Sequence, residues 1–151
     1  MTVRSLVPSD RPDWLRMRCA LWPECAADRH EAEMQQIVSA ERGGVVLVAV
    51  QPDDSLCGFI EISIRRDHVP NASANPIPYV EGWYVAPDCR GQRIGRSLMQ
   101  RAEEWARNQG FRELASDALI ENEGSIRAHL ALGFREASRE FHFIKTLAPI
   151  L

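Results

Sequence analysis

The chain has 151 residues, of which 45% are hydrophobic and 26% charged, and its formal net charge is -3. This composition argues against a disordered chain or a coiled coil, and the length suits one compact domain that buries roughly two thirds of its unfolded surface. A mildly acidic chain without a run of Lys and Arg lacks the surface that binds nucleic acid or an anionic membrane, whereas it would attract a cationic small molecule. We therefore expect a single domain over residues 1–151, with no nucleic-acid or membrane partner.

The start of the chain and its cysteines point to the cytoplasm. The N-terminus has no apolar segment typical of a signal peptide, and no window approaches about 18 uninterrupted apolar residues. The four cysteines have neither CxxC spacing nor a nearby pair of histidines, which argues against a metal site or a disulfide framework. They are Cys19, Cys25, Cys57 and Cys89. We expect a cytoplasmic protein without a metal.

The first half of the chain predicts a strand, two helices and a hairpin. A short strand over residues 3–7 precedes a helix that begins at Ser9 or Asp10 and runs to about residue 21, with Trp14, Met17 and Leu21 on one buried face. A polar helix follows over residues 28–39. The β-branched run at 45–50 and the alternating pattern at 56–64 predict two strands joined by the turn at 52–54.

The second half begins with the longest irregular stretch, residues 65–78, whose length and prolines predict a functional loop that acts as a lid or a substrate wall. A strand is predicted at 79–86 and a helix at 95–108, which carries an apolar stripe and ends at Gly110. A strand at 112–117, a helix from Asn122 to Gly133 and a last strand at 139–147 complete the pattern. The stripe consists of Leu98, Ala102, Trp105 and Ala106.

An anion-binding element is predicted where the strand at 79–86 ends. Residues 85–96 form a turn rich in glycine and arginine that leads into a long helix. Such a turn presents consecutive backbone N–H groups, the helix dipole adds positive potential, and arginines complete a cradle for a pyrophosphate. A merely tight connection remains the alternative. The Gly-Lys-Ser/Thr ending of a P-loop and the GxGxxG fingerprint of dinucleotide sites are both absent.

This segment resembles the signature Gln/Arg-x-x-Gly-x-Gly/Ala of the GNAT superfamily, with Arg90 and Gly95 at its ends and Arg93 in place of its first glycine. The resemblance implies an α/β (α+β) fold, in which about four helices flank a mixed, mostly antiparallel sheet of about six to seven strands that splays between strands 4 and 5. It also implies acetyl-CoA as co-substrate and no metal. It assigns these residues to the coenzyme: Trp83, Tyr84, Val85, Arg90, Gly91, Gln92, Arg93, Ile94, Gly95, Arg96 and Asn122.

Three further blocks narrow the resemblance to the aminoglycoside 6'-N-acetyltransferases. They are Arg18-x-x-Leu21-Trp22-Pro23, then Ser63-Ile64-Arg65-x-Asp67-x-Val69 with Glu81-Gly82, and finally Ala115-Ser116-Asp117 with Glu121-Asn122 and Ser125-x-x-x-His129-x-x-Leu132-Gly133-Phe134. The resemblance spans residues 14–136 and implies acetyl transfer to the 6'-amino group of aminoglycoside antibiotics, and hence resistance. It further implies a homodimer, to which the strand at 139–147 contributes.

The same resemblance places Glu81 and Asp117 at the catalytic centre, where carboxylates would bind the cationic substrate and accept a proton from the attacked amine. Trp22 and His68 match substrate-side positions. Four of the residues assigned by resemblance have a plainer interpretation from the sequence alone. Glu81 would be a surface carboxylate, Trp22 a core residue, His68 a solvated loop residue, and Asn122 a helix N-cap. His129 is expected to pack between helix and sheet.

The expected mechanism is direct attack of the amine on the thioester, with the oxyanion held by a backbone N–H near Val85. Many GNAT enzymes protonate the leaving thiolate with a late tyrosine, but Tyr79 and Tyr84 both precede the signature, which leaves the general acid unassigned. Ser138 stands where the family often has a substrate-binding glutamate. Two alternatives stay open: acetylation of another amine, such as a protein N-terminus, a polyamine or a metabolite, and a non-catalytic acyl-CoA-binding module.

Overall fold

The computed structural model describes residues 1–39 and 43–150. Its strands are β1 (Thr2–Ser5), β2 (Val45–Val50), β3 (Leu56–Arg65), β4 (Ile77–Val85) and β5 (Ala115–Ser116). Its helices are α1 (Arg11–Leu21), α2 (Ala27–Val38), α3 (Ile94–Asn108) and α4 (Glu123–Ala131), with short 3-10 turns at Pro8–Asp10 and Pro87–Cys89. Among these residues, no helix is both long and apolar enough to cross a membrane.

The five strands form one open sheet in the order β1-β2-β3-β4-β5. The first four strands are antiparallel, whereas β4 and β5 are parallel and pair only through Tyr79 with Ala115 and Val80 with Ser116. Beyond this contact β4 continues to Val85 while β5 has ended. The expected splay between strands 4 and 5 is therefore confirmed, and it leaves one edge of β4 open over residues 81–85.

Helices cover both faces of the sheet. Leu47 and Ala49 of β2 pack with α3 on one face, whereas Val46 and Val48 pack with α1 and α2 on the other. Successive side chains of a strand point to opposite faces, so a strand that is buried on both faces consists of apolar residues throughout. This explains the uninterrupted run of apolar residues in β2, and the apolar stripe predicted on α3 is buried as expected at Leu98, Ala102 and Ala106.

A β-bulge interrupts the pairing of β3 and β4 at Glu81. Glu61 pairs with Gly82 and Ile62 pairs with Val80, so Glu81 is the additional residue on β4. A bulge bends its strand and redirects a side chain. Here it places the Glu81 side chain at the point where β4 and β5 separate.

The predicted last strand is wrong. Residues 139–147 carry no regular secondary structure, and the side chains of Phe141, Phe143 and Ile144 are 82%, 93% and 100% exposed. Aromatic and β-branched residues favour a strand, but a strand also needs a neighbouring strand to bond with, and none of the described strands pairs with this segment. The described sheet thus has five strands rather than six to seven, and the strand predicted at 112–117 is reduced to Ala115–Ser116.

Candidate functional site

Two carboxylates lie at the opening between β4 and β5. Glu81 accepts hydrogen bonds at Oε1 from Ser63 Oγ (2.6 Å) and Arg65 Nε (2.8 Å), and at Oε2 from Arg65 Nη2 (2.8 Å). Asp117 follows β5 directly and accepts a hydrogen bond from the Tyr79 hydroxyl at 2.7 Å. Of the two residues that sequence reasoning assigned to the catalytic centre, Glu81 therefore lies on β4 and Asp117 directly after β5, and each already binds a side chain of β3 or β4.

Arg65 and Tyr79 join these carboxylates into one group. The guanidinium carbon of Arg65 lies 3.5 Å from the centroid of the Tyr79 ring, which is a close cation–π contact. We call Arg65, Tyr79, Glu81 and Asp117 the carboxylate cluster. The hydrogen bonds to Glu81 raise the pKa of Arg65 above its ordinary value, and burial together with Asp117 raises the pKa of Tyr79. Both groups therefore keep their protons at neutral pH and act as donors.

Trp22 lies beside the bulge. A Cβ atom added to Gly82 would lie only 2.6 Å from the Trp22 ring, so this ring can occupy its place only because residue 82 is glycine. The ring also contacts Arg18, whose guanidinium carbon is 4.8 Å from the ring centroid, and it stacks on His30 at 6.1 Å. Trp22 is half-buried, so it is both packed against the sheet and partly accessible at the predicted substrate side.

The Trp22 ring rests on a buried ionic network that sequence reasoning missed. Arg18 is 2% exposed and donates to Glu61 Oε1 at 2.5 Å, to Glu33, and to His30 Nδ1 at 3.2 Å. Trp14 also donates to Glu61, at 2.9 Å. The sequence did contain a signal for this network: a glutamate in an otherwise apolar strand, and an arginine on the buried face of a helix. Because charged residues are buried only when they are paired, these two residues could have been expected to pair.

The turn before α3 has the geometry of an anion site. Gly91 and Arg93 both adopt left-handed backbone conformations, with φ of 79° and 62°. Turns with alternating backbone handedness gather N–H groups into a concave anion-binding nest, and the first N–H groups of α3 have no acceptor within the helix. Arg93, which stands in place of the signature's first glycine, thus adopts a conformation that favours glycine. Arg90 Nε donates to the Val85 carbonyl at 2.9 Å and fixes the turn to the end of β4.

The remaining predicted coenzyme residues lie around this turn, and several can offer only their backbone. Gln92 and Arg96 are exposed, whereas the side chains of Ile94 and Tyr84 are buried in the two cores at 3% and 8% exposure. Trp83 Nε1 donates to the carbonyl of Gly95 at 3.1 Å, so its ring closes the space between β4 and α3.

Helix α4 follows β5 and contacts both separating strands through His129. Asn122 accepts a hydrogen bond from the Ser125 N–H at 3.1 Å and is therefore the N-cap that the residues alone suggested. His129 packs between helix and sheet as expected, because its ring contacts Trp83 edge-on at 5.2 Å and Nε2 lies 2.7 Å from Ser116 Oγ.

The predicted loop occupies residues 66–76, and its side chains bind neighbouring segments. Ser73 donates from N and Oγ to Glu113 Oε1 at 2.8 and 2.7 Å, and Asn75 donates to the Arg66 carbonyl at 2.8 Å. His68 is exposed and helps to line a shallow pocket of about 250 Å³ near the start of β4. The loop joins the end of β3, where Arg65 lies, to the start of β4, and its hydrogen bonds to Glu113 connect it to the segment before β5.

The chain is similar to known proteins in sequence and in fold. Residues 11–134 match the acetyltransferase (GNAT) family. The aminoglycoside N(6')-acetyltransferase type 1 of Klebsiella aerogenes is 40% identical over 147 residues, which cover 96% of each chain. The enzyme of the same name from Stenotrophomonas maltophilia is 38% identical over 148 residues, covering 98% of this chain and 95% of that relative.

Solved structures agree with the sequence relatives. The aminoglycoside 6'-N-acetyltransferase AAC(6')-IG of Acinetobacter haemolyticus superposes with a TM-score of 0.87 at 30% identity, covering 98% of this chain and 100% of the other. AAC(6')-Iy in complex with the bisubstrate analog CoA-S-monomethyl-acetylneamine has a TM-score of 0.88 at 32% identity, covering 97% and 98%. These matches confirm the resemblance to the GNAT superfamily and the narrower resemblance to the aminoglycoside 6'-N-acetyltransferases. The chain belongs to the acetyltransferase (GNAT) family.

Proposed function

We propose that this protein transfers the acetyl group of acetyl-CoA to the 6'-amino group of aminoglycoside antibiotics and thereby confers resistance. The observation that carries the proposal is the juxtaposition of two sites of opposite charge preference along β4. An anion-binding turn lies at its end, and a carboxylate cluster lies at its bulge. A coenzyme with a diphosphate and an acceptor with several ammonium groups suit these two sites. The names of the relatives support the same substrates.

The coenzyme fits the turn before α3. The backbone of residues 91–96, with the side chains of Arg93 and Arg96, would bind the diphosphate at the N-terminus of a helix of 15 residues. The open edge of β4 at residues 83–85 would hold the pantetheine arm. Asn122 would approach this arm from the start of α4. Acetyl-CoA supplies the thioester that the acceptor amine attacks.

The chain's own groups orient the acceptor and stabilise charge. Glu81 and Asp117 would bind the ammonium and accept its proton, directly or through water. Ala86 N–H bonds to the Cys57 carbonyl on the β3 side. Since N–H directions alternate along a strand, the Val85 N–H points into the splay, where it would stabilise the oxyanion. Trp22 and His68 would contact the sugar rings.

A thiol-release assay tests this function. We expect acetyl-CoA turnover with aminoglycosides that carry a 6'-amine and none with analogues that carry a 6'-hydroxyl. Asp117→Ala should lower kcat/KM by about 100-fold or more, since it removes a group that binds the acceptor and its proton. The matched control is Asp28→Ala, on the exposed first turn of α2, which should retain activity.

The same assay separates the alternatives. Turnover with polyamines or peptide N-termini but not with aminoglycosides would assign a different acceptor. Tight binding of acetyl-CoA without thiol release for any amine would indicate a binding module and would refute the proposed activity.

We further infer that two copies of the chain associate through residues 139–147. This segment presents four aromatic or aliphatic side chains that are at least 78% exposed, and β5 lies at an edge of the sheet, where its outer side can bond to another strand. The side chains are Phe141, Phe143, Ile144 and Leu147. Light scattering should show a dimer, and Phe143→Asp should yield a monomer. A wild-type monomer at micromolar concentration would contradict the inference.

We also propose that residues 1–151 act as a single domain and that the protein works in the cytoplasm. The four cysteines are free, as expected in a reducing compartment. Fractionation of cells that express the full chain would test the location.

A further inference from the structure

The acceptor site already contains a cation. Arg65 is the last residue of β3, and its guanidinium forms two parallel hydrogen bonds with the two oxygens of Glu81, both at 2.8 Å. Paired bonds of this kind are among the stronger ones that a carboxylate makes. A substrate ammonium that approaches Glu81 therefore meets a guanidinium that occupies the same oxygens.

Arg65 reaches the second carboxylate through Tyr79. Its guanidinium lies over the Tyr79 ring at 3.5 Å, and the hydroxyl of that ring donates to Asp117 at 2.7 Å. Ser63, two residues earlier on the same face of β3, donates to Glu81 at 2.6 Å and would remain to hold this carboxylate if the guanidinium moved aside. The arrangement links Arg65 to every acidic group of the carboxylate cluster.

The charge of the cluster follows from these contacts. One guanidinium and two carboxylates leave a single net negative charge, which balances one ammonium group. Aminoglycosides carry several ammonium groups, so each further one that enters the cluster is opposed by Arg65. The pair is about one third exposed, with side-chain exposures of 32% and 33%, so this opposition is moderate rather than prohibitive.

We propose that Arg65 is a specificity-determining residue that sets how many ammonium groups of the acceptor the site favours. This proposal rests on the proposed function, because it concerns the acceptor of the same site. It predicts that removal of the charge at residue 65 increases the preference for more highly charged acceptors. It does not require Arg65 to take part in the chemical step.

The test compares Arg65→Gln with Arg66→Gln, which removes the same charge from the adjacent, exposed residue. The substrates are two aminoglycosides that share the 6'-amine and differ at one other carbon, where one has an amine and the other a hydroxyl. We expect Arg65→Gln to raise the ratio of their kcat/KM values about fivefold in favour of the amine, mainly through KM, and Arg66→Gln to leave it nearly unchanged. Arg65→Lys should resemble the wild type, because it keeps the charge.

Three outcomes would overturn the proposal. A fall in kcat for both substrates with an unchanged ratio would mean that Arg65 only orients Glu81. An equal effect of Arg66→Gln would mean that the general field of the protein is responsible. A ratio for Arg65→Lys that matches Arg65→Gln would mean that the paired hydrogen bonds, and not the charge, decide. Thermal unfolding checks that each variant is folded.

A binding measurement separates this proposal from the proposed function. Calorimetry with a diamine and a triamine, in the presence of CoA, reports the charge preference without turnover. If wild-type protein acetylates no aminoglycoside, the proposed function fails, but a triamine preference that rises in Arg65→Gln would still support the role of Arg65. If the enzyme acetylates aminoglycosides but Arg65→Gln has the same triamine preference as the wild type, only the proposal about Arg65 is refuted, and the proposed function stands.

Discussion

Two arginine–glutamate pairs involve strand β3, and they differ in their environment. Arg18 and Glu61 have side-chain exposures of 2% and 5%, whereas those of Arg65 and Glu81 are 32% and 33%. The chemical groups are the same in both pairs, and the shortest contacts are 2.5 and 2.8 Å. The difference lies in what surrounds them, because helices α1 and α2 cover the first pair and the second lies at the opening of the sheet.

This difference gives the pairs different uses. Burial raises the pKa of Glu61 while Arg18 opposes that rise, so each member of the buried pair depends on the other. The buried pair cannot exchange its partner for a ligand, but it can hold Trp22 in place. Water and ligands can reach the exposed pair, so a substrate cation can compete for Glu81. On our proposals, the buried pair positions Trp22 and the exposed pair selects the acceptor by its charge.

The largest expected effect comes from breaking the buried pair. Arg18→Met should lower the free energy of unfolding by about 3–5 kcal/mol, because Glu61 would remain buried without its cation. The matched change in the exposed pair, Arg65→Met, should cost about 1 kcal/mol or less. Urea denaturation of the two variants measures both values.

A second variant distinguishes loss of the charge pair from loss of packing. Arg18→Met combined with Glu61→Leu removes both charges and should recover part of the lost stability. Equal losses for Arg18→Met and Arg65→Met would show that the comparison of the two pairs is mistaken.

The next effect concerns the contact between Trp22 and the bulge. Gly82→Ala should lower the free energy of unfolding by about 2 kcal/mol and raise KM for the acceptor, because the new methyl group occupies the space of the Trp22 ring. Gly124→Ala is the control, since the nearest atom to its added Cβ, Asn122 Oδ1, is at 3.9 Å. Denaturation and steady-state kinetics measure the effect, and an unchanged KM in a folded Gly82→Ala enzyme would remove Trp22 from the substrate side.

Much of the fold could be predicted from local patterns. The run at 45–50 is apolar on both faces and the helix at 95–108 has one apolar stripe, so each pattern indicates both the element and its burial. The segment at 139–147 has an equally good strand pattern, but pairing depends on a partner strand that the local sequence does not identify. The bulge at Glu81 was likewise hidden, because it exists only as a mismatch between two strands.

The site was predicted by resemblance more than by pattern. The resemblance named Glu81, which lies on β4, and Asp117, which directly follows β5; their roles are proposals. The alternating pattern at 56–64 predicted the strand β3 but not the burial of Glu61, which α1 and α2 cover and which pairs with Arg18. Pairing between residues 43 positions apart is a tertiary feature, which no local pattern could reveal.

A third ion pair, Arg4 with Asp10, extends the comparison of the two arginine–glutamate pairs, and we expect it to contribute about 1 kcal/mol to the free energy of unfolding. Arg4 and Asp10 have side-chain exposures of 38% and 8%, and their hydrogen bond lowers the pKa of Asp10. A lowered folded-state pKa stabilises the protein above the ordinary aspartate pKa of about 4, and this contribution disappears as the pH falls through the folded-state value. Asp10→Asn should therefore cost about 1 kcal/mol at pH 7 and less near pH 3.

Urea denaturation at the two pH values measures this difference. Arg4→Met should show the same loss, and the double variant should lose little more, since both changes remove one pair. A loss for Asp10→Asn that persists near pH 3 would instead assign the effect to the hydrogen bond that Asp10 accepts from the Val7 N–H at 2.9 Å.

The smallest expected effect involves an arginine whose partner, on our proposal, is the coenzyme itself. Arg93 adopts a left-handed conformation that costs a non-glycine residue about 1 kcal/mol, so Arg93→Gly should raise the free energy of unfolding by up to about that amount. It should also weaken coenzyme binding severalfold, because a charge near the diphosphate is lost.

Arg93→Ala loses the same charge and keeps the strained backbone. Calorimetry with CoA should therefore give similar affinities for the two variants, while thermal unfolding should place Arg93→Gly above Arg93→Ala. If both variants bind CoA as tightly as the wild type, the backbone N–H groups carry the phosphate contact and the charge of Arg93 contributes nothing to it.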